Sequence, residues 1–177
     1  MPAAHIITVR IESLSFMGGL AFATAAATLV GQSLGMKNPR RATRSAWLAY
    51  AVGGGMMCAW AVLFILFGRQ LCGILSDDPR IISLAAKCLL ITAFSQPAFA
   101  ASMIFGGALR GAGDTLVVMA INLASILGLR LTIAVAVTKL FHGGLIAIWI
   151  VLASELTVRG CLIVMRFLQG GWRTVEV

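Results

Sequence analysis

Long apolar runs broken only by short charged loops set the pattern of this chain. Ser13 to Gly35, Ser45 to Phe67 and Cys88 to Leu109 carry no charge at all; Leu116 to Thr138 carries Arg130 alone, and Leu145 to Val164 carries Glu155 and Arg159. A bilayer core takes about 20 apolar residues as helix. These runs also lack the polar face that a water-exposed helix of the same length needs. The pattern predicts an all-α, polytopic membrane helix bundle with five spans, near 6–35, 43–68, 81–109, 116–138 and 143–167, forming one transmembrane domain over 1–177.

Composition agrees: 60% of residues are hydrophobic and 11% are charged, where a soluble domain carries about a quarter charged. The net charge of +8 is scattered over several loops. That distribution suits lipid headgroups and topology, and no soluble domain exists to carry a nucleic-acid surface. The first loop, Met36 to Arg44, holds four basic residues and no acid, whereas the second, around Ser76-Asp77-Asp78-Pro79-Arg80, is acidic at its centre. Short loops rich in Lys and Arg stay in the cytoplasm. The expected inside then holds Lys37, Arg40, Arg41, Arg44, Arg110, Arg166 and Arg173 with the C-terminus; the other side holds Arg69, Arg80 and Lys139, with Arg10 and Lys87 near its edge. Five spans with an inner C-terminus put the N-terminus outside, and no cleavable signal precedes the first span. A missing upstream helix, and so a fragment of a larger inner-membrane protein, is the expectation; a small complete protein with an outer N-terminus is the alternative.

Ala23, Ala27, Gly31 and Gly35 recur every four residues and predict a stripe along which another helix backbone can approach. Pro97, following Gln96 inside the third span, removes a helix hydrogen bond and predicts a bend. Cys58, Cys72, Cys88 and Cys161 lie far apart without metal-ligand spacing and read as buried small hydrophobes. His5 and His142 are expected near the outer surface. No nucleophile elbow, zinc motif or phosphate loop occurs; Gly106 to Gly113 lacks the Lys-Ser/Thr ending of a nucleotide loop, so neither an enzyme, a metal site nor a bound cofactor is expected.

Ionisable groups inside a membrane are candidates for function. Glu155 and Arg159 are one turn apart in the favourable order and predict a self-neutralising pair. Glu12 has only Arg10 nearby, on a different face, so it needs a partner from another helix or a wet cavity. Glu12, Arg130 and Asn122 are the candidate substrate or proton residues. Arg110 and Asp114, four apart, are expected to pair locally or to cap helix ends; Asn38-Pro39 is expected to start a helix.

Two loop motifs carry a resemblance. Val30-Gly31-Gln32-Ser33-Leu34-Gly35-Met36-Lys37-Asn38-Pro39-Arg40-Arg41-Ala42 and Gly107-Ala108-Leu109-Arg110-Gly111-Ala112-Gly113-Asp114-Thr115 resemble two signatures of the multidrug and toxic compound extrusion (MATE) family. Ala3-Ala4-His5 and Arg10 to Met17 are similar to the family's segment entering the same helix. The resemblance implies twelve helices in two lobes, of which this chain matches helices eight to twelve of the second. It implies proton- or sodium-coupled efflux of organic cations and other drug-like compounds by alternating access, with membrane lipids and the missing first lobe as partners. Read from the residues themselves, Gly31, Gln32, Gly35, Asn38, Pro97, Arg110, Gly111, Gly113 and Asp114 are structural or hinge elements and not substrate ligands. The family's sodium-site acid of helix ten falls near Phe99, so the coupling site is expected mainly in the absent lobe. The alternatives are a related flippase of lipid-linked sugars, favoured by a polar basic cavity, a membrane enzyme with clustered His or acid, and a small assembly partner.

Overall fold

The computed structural model describes residues 2–140 and 144–174. These residues form α1 (Pro2–Gly35), α2 (Pro39–Gly73), α3 (Pro79–Gly111), α4 (Thr115–Leu123), a π-helical stretch (Ala124–Leu131), α5 (Thr132–Leu140), α6 (Leu145–Gln169) and a final 3-10 turn (Gly171–Thr174). α4, the π stretch and α5 make one continuous fourth span. Five helices are long and apolar enough to cross a membrane, and the described chain contains no strand. The protein is an all-α membrane bundle. Helices α1 to α3 run further than the apolar cores alone suggest, because their ends continue into the loops.

Local chemistry explains where the helices stop. Asn38 caps α2 by accepting a hydrogen bond from the Arg41 N–H at 3.0 Å, and Pro39 follows where a missing N–H costs nothing. Asp78 and Pro79 repeat the device at α3, with the carboxylate accepting from the Arg80 N–H at 2.8 Å. The ends of α1 and α3 share a reverse turn. The N–H groups of Lys37 and Asn38 donate to Leu34 and Ser33, and those of Gly113 and Asp114 donate to Arg110 and Leu109. This is the two-bond helix stop that needs a left-handed residue. Gly113 takes it at φ 86, and Lys37 takes it at φ 54 despite its side chain.

α3 is the centre of the bundle and packs against α1, α2 and α6. It passes Pro97 without interruption. α2 also packs on α1, while α1 and α6 barely touch each other. The fourth span lies at the edge and leans mainly on α6. Two apolar cores result. One, including Val30, Ala46, Phe105, Leu109, Phe167 and Trp172, fills the end that holds the first loop. The other, including Ile7, Phe64, Cys72 and Leu89, fills the end that holds Asp77.

The small-residue stripe works at three of its four positions. A Cβ on Gly107 would strike the Ala23 backbone, one on Gly111 would strike the Ala27 backbone, and one on Gly31 would meet the Gly111 carbonyl at 3.0 Å. Gly35 faces open space, so it takes no part in this seam. Gly160 brings α6 equally near α3, against the backbone of Ala98. The cysteines are all free; Cys72 and Cys88 are buried, but Cys161 is exposed on the outer face of α6, because that face meets no other described helix.

Candidate functional site

Because α1 and α6 both rest on α3 but not on each other, a cavity of about 470 Å³ opens between them. α1 lines it with His5, Val9, Glu12, Ser13 and Phe16, and α6 with Trp149, Leu152, Glu155, Leu156 and Arg159. Phe99 of α3 and Arg130 of the π stretch complete it. Five ionisable groups from three spans, His5, Glu12, Arg130, Glu155 and Arg159, thus share one apolar, aromatic chamber. The partner that Glu12 lacks on its own helix comes from another: Arg130 lies within electrostatic reach of both Glu12 and Arg159.

Glu155 and Arg159 do pair, at 3.3 Å. They do so on the cavity wall. Glu155 is 2% exposed, yet neither of its oxygens has a hydrogen-bond partner among the described residues. The indole N–H of Trp149 is also buried without an acceptor among the described residues. Buried polar atoms are ordinarily satisfied, so such a group in a cavity wall marks a place for water or a ligand. Aromatic contacts shape the rest: Phe16 stacks on Phe99 with ring centres 6.1 Å apart, and His5 tilts against Trp149 at 5.6 Å. Just off the wall, the Ser15 hydroxyl donates to the Gln96 carbonyl oxygen at 3.0 Å, tying α1 to α3 through a fully buried side chain.

The other sequence candidates are distributed elsewhere. Asn122 is half-buried in α4 and does not line the cavity. Gly31 and Gly111 sit in the α1–α3 seam; Gln32, Gly35, Asn38 and Arg110 are exposed at the first-loop end. The local Arg110–Asp114 pair is not formed. Asp114 instead binds Arg166 of α6, Nε to Oδ2, at 2.7 Å. Its carboxylate makes no capping bond to α4. The left-handed turn at Gly113 carries Asp114 off the axis of α3, and Arg110 stays exposed on that helix. His5 is on the cavity wall, and His142 lies outside the described residues.

Sequence reasoning missed Trp149, Phe16, Leu152 and Leu156 as wall residues, because an aromatic or leucine in a span carries no signal of which side it faces. It also missed the π stretch that brings Arg130 to the wall. Wide helical turns of this kind recur at functional sites. Among the described residues no group of three or more His, Cys, Asp or Glu could hold a metal ion.

The described chain is thus a multi-span membrane bundle with a charged, aromatic chamber open between two of its helices. Comparison with known proteins gives the family. The MatE family matches residues 3–136, so the chain belongs to the MatE family. Among curated proteins it is similar to the probable multidrug resistance protein NorM of Thermotoga maritima, with 33% identity over 96% of this chain and 37% of that protein. It is similar to the proteins of the same description from Brucella suis, at 32% identity over 93% of this chain and 36% of the relative, and from Mannheimia succiniciproducens, at 34% over 93% and 36%. The chain spans just over a third of the length of these relatives.

Proposed function

We propose that the chain supplies one wall of the substrate path in a cation-coupled multidrug efflux transporter, which exports amphipathic organic cations by alternating access. The observation that carries this reading is the joint presence of Glu12, Arg130, Glu155 and Arg159 around one aromatic chamber. Phe16, Phe99 and Trp149 offer flat apolar surface to a planar ring, and an aromatic face also attracts a cation. Glu12 offers the negative charge, and Arg130 competes for it. A proton or sodium ion arriving at Glu12 would cancel that charge and release the drug, which links the gradient to the drug. The remaining length represented in the relatives would close the chamber and bring further coupling groups. The basic first loop, the Asp114 loop and the tail face the cytoplasm of the inner membrane, on the bias of Lys and Arg.

Export of ethidium, an aromatic cation, tests the reading in cells that express this sequence within a transporter of its relatives' length. Glu12→Gln keeps the shape and removes the charge. Gradient-driven export should fall while expression stays normal. Normal export at normal expression would remove Glu12 from the path. Orientation is checked separately, by single cysteines at Ser76 and Asn38 in a background without native cysteines. The two should label from opposite sides.

A further inference from the structure

At the first-loop end, away from the chamber, Arg40 and Arg44 of α2 and Arg173 of the 3-10 turn converge on a second cavity of about 520 Å³, whose other lining residues are Pro39 and Thr43. Three guanidinium groups share it, and no carboxylate among the described residues lines it. Two of them are one turn apart on α2, but Arg173 arrives from the far end of the chain and is held there. Gly170 turns the backbone back at φ 74. Trp172, fully buried, stacks on Phe167 at 4.9 Å and donates its indole N–H to the Phe167 carbonyl at 2.8 Å. The Arg173 guanidinium lies 5.5 Å from the centre of that indole. A buried anchor therefore fixes a cation beside two others, an arrangement whose mutual repulsion an anion would relieve. The N-terminus of α2, at Pro39, adds its positive end to the same spot.

We infer that this cavity binds the phosphate of an anionic membrane phospholipid. Arginine forks fit phosphate oxygens in pairs, and basic pockets at the ends of membrane helices recognise lipid headgroups. The surroundings favour a lipid over free phosphate. Leu48 lies one turn below Arg44 on the same face of α2 and is exposed, as are its neighbour Trp47 and, on α6, Leu168. A phosphate at the arginines leaves acyl chains on apolar surface, and a tryptophan at that depth is the usual marker of the membrane interface. A choline headgroup brings its own cation to three others, so the site discriminates by net charge. Bound there, the lipid joins the start of α2 to the tail after α6.

Native mass spectrometry of the whole chain in detergent tests this with three probes: phosphatidylglycerol, phosphatidylcholine and inorganic phosphate. Phosphatidylglycerol should be retained at about tenfold lower concentration than phosphatidylcholine. The combined variant Arg40→Gln, Arg44→Gln, Arg173→Gln should abolish the preference. The charge-matched control Arg10→Gln, Arg80→Gln, Arg110→Gln should keep it. If the combined variant does not fold, Arg173→Gln alone, changed outside every span, should lower phosphatidylglycerol retention. A preference that survives these changes, or an equal loss in the control, overturns the site. Displacement of phosphatidylglycerol by millimolar inorganic phosphate assigns it to a soluble anion and overturns the lipid proposal.

Discussion

At the first-loop end, Gly107 and Gly111 bring the α3 backbone against Ala23 and Ala27 of α1, Arg166 reaches from α6 to Asp114, and Phe167 tilts against Phe105 and stacks on Trp172. At the Asp77 end, α1 and α6 stand apart around a chamber of about 470 Å³ that holds five ionisable side chains. Each of the two helices is clamped on α3 or its turn at one end, and the two stand apart from each other at the other. Small residues decide the first condition, because lipid provides no hydrophobic force between helices and tight backbone contact must replace it. Bulky aromatic and charged residues decide the second. On the proposed function, stability belongs to the clamped end and ligand binding to the open one, and substitutions at the two ends should then separate the two properties.

The largest effect expected is at the seam. Gly111→Leu drives a side chain into the Ala27 backbone, which cannot yield, and folded protein should be lost from detergent extracts. Gly55→Leu, a change into open space, should express normally. Equal behaviour of the two variants would dissolve the clamp. Trp172→Ala removes the buried ring and its hydrogen bond to Phe167, and should cost about 3 kcal/mol, read as a lower thermal midpoint. Arg166→Gln leaves Asp114, 7% exposed, without its cation. The cost should be about 3 kcal/mol, the low end for breaking a buried pair, because Arg166 itself is partly exposed. Asp114→Asn should cost less, since no buried charge remains. The smallest effect should be a gain. Lys37→Gly relieves a left-handed backbone at φ 54 and should raise stability by about 1 kcal/mol.

The sequence is most legible where a repeat maps onto one helix face. Ala23, Ala27 and Gly31 lie four apart, so their shared contact with α3 follows from helical period alone. Gly35 continues the repeat but not the contact, because α3 has ended at Gly111 by that level. Glu12 and Arg130 were legible as isolated charges in apolar runs, but not as neighbours. Their meeting depends on how α1, α6 and the π stretch sit around α3. Asn122 and Arg130 are both polar breaks in the fourth span, but the wide turns between them change the phase of the side chains, and only Arg130 lines the chamber. Arg110 and Asp114 failed for a related reason. Proximity along the chain suggested a pair, and the left-handed turn at Gly113 separated them, leaving Asp114 to a partner 52 residues away.

On the proposed function, the open end takes a cationic ligand without holding the fold together. Equilibrium binding of ethidium to the purified chain, followed by fluorescence beside thermal unfolding of the same samples, tests it most directly. Glu12→Gln should weaken ethidium binding about tenfold, the loss of one attractive charge in a partly apolar chamber, and leave the unfolding midpoint unchanged. Unchanged binding, or weaker binding matched by an equal loss of stability, would contradict the account and return Glu12 to a structural role.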